Sequence, residues 1–153
     1  MRKTGAPSGL SRREIINARL HVVVALFVVW LVATSPWVSM LRRIPADAGF
    51  FDYAHVVVGW PALVCGVLYA VSVAGGGRLR QYLPGKTAGI GGVIEGLLLL
   101  ALLATALTGA LWFFLQGSAD AITWRSLHIY SARALIGLGL AHVVAVAAHL
   151  LDF

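Results

Sequence analysis

Four apolar runs fix what this chain can become. Residues 11–35, 52–74, 89–116 and 121–151 are dominated by Val, Leu, Ala, Ile and Gly. Each is long enough to cross the hydrocarbon layer of a bilayer as a helix, which takes about 20 residues. Inside lipid no water can satisfy a backbone N–H or C=O, so such a run must close its own hydrogen bonds. Charged residues make up 12% of the chain, against roughly 25% in soluble domains. The 153 residues therefore predict an all-α protein: a four-transmembrane-helix bundle forming one membrane-embedded domain over residues 1–153, with lipid as its surroundings.

Local signals place the helix ends. Ser11-Arg12-Arg13-Glu14 has the form of a capping box, and the first helix ends near Ser35, before Pro36. The second stops at Gly75-Gly76-Gly77, and Pro61 inside it predicts a kink. Arg2 and Lys3 ahead of an apolar run resemble a signal peptide, but about eighteen residues precede the apolar stretch and His21 lies within it. A retained first helix is the better reading. Cys65 is the one cysteine; it has no intrachain disulfide partner and reads as a small apolar residue. No internal repeat, low-complexity tract or second domain is visible.

The net charge of +6 does not point to nucleic acid, because the charges lie in short segments between spans. They read as topology signals. Arg2, Lys3, Arg12, Arg13, Arg19, Arg78, Arg80 and Lys86 fall on one side, and Arg42, Arg43 and Arg125 on the other. The richer side belongs in the cytoplasm, so both termini are expected there. Trp37, Tyr53, Trp112 and Trp124 are expected in the outer aromatic belt, with Tyr82 at the inner one.

Five histidines, His21, His55, His128, His142 and His149, sit inside or at the edge of these runs. An imidazole in a membrane span is expensive and usually has a task. His128 and His142 are fourteen residues apart, almost four helical turns, so they share a face and stand about 21 Å apart along the axis. Depth then pairs the rest: His55 with His128 toward the outside, His21 with His142 toward the inside. Two histidines from facing helices can grip one haem iron from both sides, so the pattern suits two bis-histidine haems. His149 follows His142 by two turns on the same face, about 10 Å nearer the cytoplasm. It is the alternative inner ligand, although His142 keeps the two sites closer. Small residues at Gly59, Gly137 and Gly139 would let a flat cofactor approach the backbone, or would simply mediate helix packing. Two other readings use the same imidazoles: a non-redox metal or proton transporter, and a membrane scaffold with incidental histidines.

The pattern resembles the bacterial cytochrome b561 family and the related cytochrome b subunits of membrane-bound hydrogenases and formate dehydrogenases. The matching stretches are Arg19-Leu20-His21, His55-Val-Val-Val-Gly59, and the last-helix run from His128 through Ala141-His142 to His149-Leu-Leu-Asp152. The individual motifs are short; the fourteen-residue spacing joined to the other two sites is the more specific part. The resemblance implies four transmembrane helices holding two haem b groups, with no ligand from the third helix, which has no histidine here. It assigns His55 and His128 to the outer haem and His21 and His142 to the inner one. It also implies electron exchange with quinone, in the bacterial inner (cytoplasmic) membrane, with His149 near the quinone.

The remaining charged residues follow from that reading. Arg42, Arg43 and Arg125 are candidates for the outer haem propionates. Glu95, near the inner end of the third helix, is a candidate for proton handling at the quinone site, or an interface residue reaching the headgroups. Arg133 is rotated about 140° from His128 and 180° from His142, so it is expected to face away from the haem side. The short loops leave no room for another catalytic domain. The chain is expected to be an electron-transfer subunit of an oxidoreductase, working with a periplasmic catalytic or cytochrome subunit. The alternative is a stand-alone superoxide:quinone oxidoreductase.

Overall fold

The computed structural model describes residues 11–41, 48–75 and 90–151, apart from the side chains of 90, 149 and 150. It contains four long helices: α1 (Arg12–Thr34), α2 (Phe50–Ala74), α3 (Ile90–Phe114) and α4 (Ala121–Leu151). All four are long and apolar enough to cross a membrane. Their surfaces agree with that setting. Leu26, Val29, Leu100, Leu140 and Val144 are each about two-thirds exposed. In water such a surface would aggregate; in lipid it costs nothing, because acyl chains are as apolar as leucine.

The ends form as the sequence predicts. Ser11 caps α1: the Glu14 N–H donates to Ser11 Oγ at 3.3 Å, and the Ser11 N–H donates to Glu14 Oε2 at 2.8 Å. At the other end Thr34 Oγ1 donates to the Trp30 carbonyl at 2.8 Å and Ser35 Oγ to that of Val32 at 2.8 Å. These hydroxyls reinforce the last turn, where the Val32 carbonyl also accepts from the Ser35 N–H. Two short 3₁₀ turns follow, Ser35–Trp37 and Ser39–Leu41, with Val38 between them fully buried. α2 runs unbroken through Pro61. α3 and α4 are joined by a tight turn in which Gly117 takes φ +85°, a conformation open to glycine at little cost.

The bundle is two hairpins side by side. α1 packs on α2 and α3 packs on α4, and α2 also meets α3. Polar contacts pin the first hairpin at the end where α1 starts and α2 stops. There Ser72 Oγ donates to Asn17 Oδ1, and Arg13 Nη2 donates to the Ser72 carbonyl at 3.1 Å. In the second hairpin Thr108 Oγ1 and Ser131 Oγ meet at 3.3 Å.

Asp52 ties the opposite end together. Its side chain is 2% exposed. It accepts from Ser39 Oγ at 2.7 Å, the Met40 N–H at 2.9 Å and the Gly49 N–H at 2.8 Å. A buried carboxylate is tolerable only when its lone pairs are filled in this way. Arg125, at the start of α4, adds a second clamp by donating to the carbonyls of Met40, at 3.0 Å, and Leu41. The Ser39–Leu41 turn is thus fastened to both hairpins.

Candidate functional site

The seam between the two hairpins is where the histidines meet. His55 on α2 and His128 on α4 have ring centres 6.2 Å apart. His21 on α1 and His142 on α4 have ring centres 6.1 Å apart. Both pairs therefore bridge the hairpins, and the spacing along α4 sets them about 21 Å apart in depth. A metal–imidazole bond is about 2.0 Å, so two rings facing across one metal atom stand with centres roughly 6 Å apart. Among the described residues no third His, Cys, Asp or Glu joins either pair.

The pairs differ in surroundings. His55 and His128 are half-buried and open into a cavity of about 470 Å³ lined by all four helices. That lies within the roughly 300–1,000 Å³ typical of small-molecule sites. Small residues, Gly59, Ala106, Gly109 and Ala132, widen it, and Trp60 and Phe113 stand at its wall with ring centres 6.0 Å apart. In the other pair His142 is half-buried and His21 is exposed, with Tyr69 of α2 5.7 Å from the His21 ring.

His128 is the most firmly held imidazole. Its Nδ1 lies 2.9 Å from the Thr105 carbonyl. With the proton on Nδ1, the ring donates there and Nε2 keeps its lone pair. The ring presses against the α3 backbone at Gly109, where an added Cβ would stand 2.9 Å from Cε1 and 3.0 Å from Nδ1. The buried Trp112 ring lies 6.1 Å away at 34°. His55 is held differently: its Nδ1 is buried and has no hydrogen-bond partner among the described residues.

Other expected site residues fall as follows. Arg125 is engaged with the loop carbonyls described above. Arg42 and Arg43 lie outside the described residues, as do Tyr82 and the basic residues at 2, 3, 78, 80 and 86. His149 lies on α4, with its side chain outside the description. Glu95 is half-buried on α3. Of the three glycines singled out in the sequence, Gly59 lines the cavity, while Gly137 and Gly139 do not. The glycine that matters most for an imidazole is Gly109.

One expectation is corrected. Trp112 is 8% exposed, packed on His128 rather than lying in a lipid-facing belt; Trp37 and Tyr53 are about two-thirds exposed, as a belt requires. Arg133 is exposed and is one of the residues around the cavity, while its position lies off the His128 face of α4. Its guanidinium sits 5.9 Å from the centre of the Tyr130 ring, a cation–π distance. Thr105, Gly109 and Trp112 were missed because the third helix carries no histidine. Their spacing of four and three residues on one face was the available signal. Comparison with known proteins gives no significant match to a family model, a curated protein or a solved structure.

Proposed function

We propose that this chain is a di-haem b-type cytochrome of the bacterial inner membrane that passes electrons between a periplasmic redox partner and membrane quinone. The observation that carries the proposal is the two imidazole pairs, 6.2 and 6.1 Å between ring centres. Protein sites for a bare zinc ion take three or four protein ligands. A haem brings four nitrogens of its own and needs only two from the protein. Two imidazoles per site therefore suit a haem better than a transported metal ion. The pairing also agrees with the resemblance to the cytochrome b561 and hydrogenase-type cytochrome b families.

The residues fit the group. His55 and His128 would hold the outer haem and His21 and His142 the inner one. The haem iron, when bound, supplies a reversible one-electron change. The chain supplies position and surroundings. Thr105 orients His128, the apolar cavity walls keep water from the outer site, and the Asp52 and Arg125 clamps hold the Ser39–Leu41 turn. With the basic segments inside, both termini lie in the cytoplasm.

Arg133 favours the subunit reading over a stand-alone superoxide:quinone oxidoreductase. It lies in the middle of α4 and is exposed. A cation at that depth beside lipid is costly, and a neighbouring chain would relieve the cost.

Quinone is assigned to the cytoplasmic end, beside the inner site, with His149 and Glu95 near it. Reduction of a quinone takes up two protons with two electrons, and an imidazole with an ordinary pKa of about 6.5 exchanges protons near neutral pH. The full chain in liposomes should accept electrons from a quinol, read as the growth of the haem absorption band. In His149→Ala both haems should remain, while that rate falls on the order of 100-fold, the scale of a lost general acid–base group. An unchanged rate with both haems present would place the quinone elsewhere.

A further inference from the structure

We infer that α3, the helix without a histidine, sets the ring orientation and the tautomer of His128 through Thr105, Gly109 and Trp112. These three are positioning residues, and the inference deepens the haem reading by naming what holds one ligand of the outer site. Three separate contacts converge on one ring. The Thr105 carbonyl lies 2.9 Å from Nδ1. Gly109 leaves the space the ring edge fills, where an added Cβ would meet Cε1 at 2.9 Å and Nδ1 at 3.0 Å. Trp112, itself buried, covers the ring at a tilt of 34°.

The geometry has a direction. A carbonyl can only accept, so it selects the tautomer with the proton on Nδ1 and leaves Nε2 bare. A metal-bound histidine that donates its second nitrogen to a fixed acceptor is locked in rotation and made a better ligand. Thr105 is itself held: its Oγ1 donates to the Ala101 carbonyl at 2.7 Å, and its carbonyl also accepts from Thr108 Oγ1 at 3.1 Å. The acceptor is thus part of a braced stretch of α3. Real Cβ atoms essentially never come within 3.0 Å of such neighbours. Any side chain at 109 therefore forces the His128 ring to turn or the two helices to part.

The test compares the full-length parent with Gly109→Ala and with Gly91→Ala, a control on the same helix where nothing lies within 4 Å of the added carbon. Two readouts are taken on the ferric proteins: the low-spin electron paramagnetic resonance signals, which report the relative angle of the two imidazole planes, and transfer of haem to excess apomyoglobin. Gly109→Ala should shift the signal of one haem and leave the other in place. It should release that haem about 10–100-fold faster, the usual effect of losing an outer-shell partner. Gly91→Ala should match the parent in both. Gly109→Ala that also matches the parent overturns the inference.

If Gly109→Ala does not fold, or if the parent carries no haem, the ¹⁵N shifts of the His128 ring in the parent expressed without haem decide the question. A proton on Nδ1 supports the positioning role, and a proton on Nε2 overturns it. A parent that takes up no haem when haem synthesis is intact, yet shows the Nδ1 tautomer, rejects the haem reading while leaving the role of α3 standing.

Discussion

Replacing His128 with alanine is expected to remove one haem and leave the other, and replacing His142 is expected to do the same at the opposite site. The two substitutions should be distinguishable. His128→Ala should match His55→Ala, because their ring centres stand 6.2 Å apart. His142→Ala should match His21→Ala, because theirs stand 6.1 Å apart. The two sites lie about 21 Å apart along α4, so losing one should not unmake the other. Sites this far apart behave independently to within a few tenths of a kcal/mol. Haem content per chain by pyridine haemochromogen, with redox titration of the remaining haem, separates the cases. If His142→Ala kept both haems while His149→Ala lost one, the inner ligand would be His149.

The second large effect should come from a residue that touches no cofactor. Asp52→Ala removes the acceptor of the Ser39 hydroxyl and of the Met40 and Gly49 N–H groups. A buried donor left unpaired costs about 1–3 kcal/mol, whereas the N–H of the exposed Gly49 is rehydrated. A loss of about 2 kcal/mol in unfolding free energy follows. Asp52→Asn should cost less, since one oxygen remains. The damage should be local first. Asp52 lies one turn before His55, so haem should leave the outer site before the inner one. Unfolding in mixed micelles, followed by helix signal and by haem absorption, measures both. A change under about 0.5 kcal/mol, within the ordinary range for surface substitutions, would mean that the clamp holds nothing.

Much of this architecture is legible in the residues. The capping box at Ser11, the stop before Pro36, the glycines after Ala74 and the short connection before Ala121 each act through local chemistry, and each helix ends within a few residues of its signal. The histidine encounters were legible for a related reason. A helix rises by a fixed amount per residue, so position along the chain converts to depth, and depth pairs imidazoles across a bundle of antiparallel spans.

What stayed hidden depends on rotation rather than depth. Trp112 read as a belt residue from its place near a helix end, yet the packing of α3 on α4 turns it inward onto His128. The Thr105–Gly109–Trp112 face acquires meaning only once α4 lies against it. Asp52 marked no more than a helix start in the sequence. Its role depends on a loop folding back over it, and the donors come from residues 3, 12 and 13 positions away.

The account stands most directly on one measurement: the dithionite-reduced minus oxidised absorption spectrum of the purified full-length chain, with haem quantified per polypeptide. Two imidazole pairs at iron-bridging distance predict a b-type spectrum and a stoichiometry of two haems per chain, with one remaining in His128→Ala. A chain purified with haem synthesis intact, folded and helical, that shows no haem band on reduction would contradict the account. The histidine pairs would then have to serve another ligand.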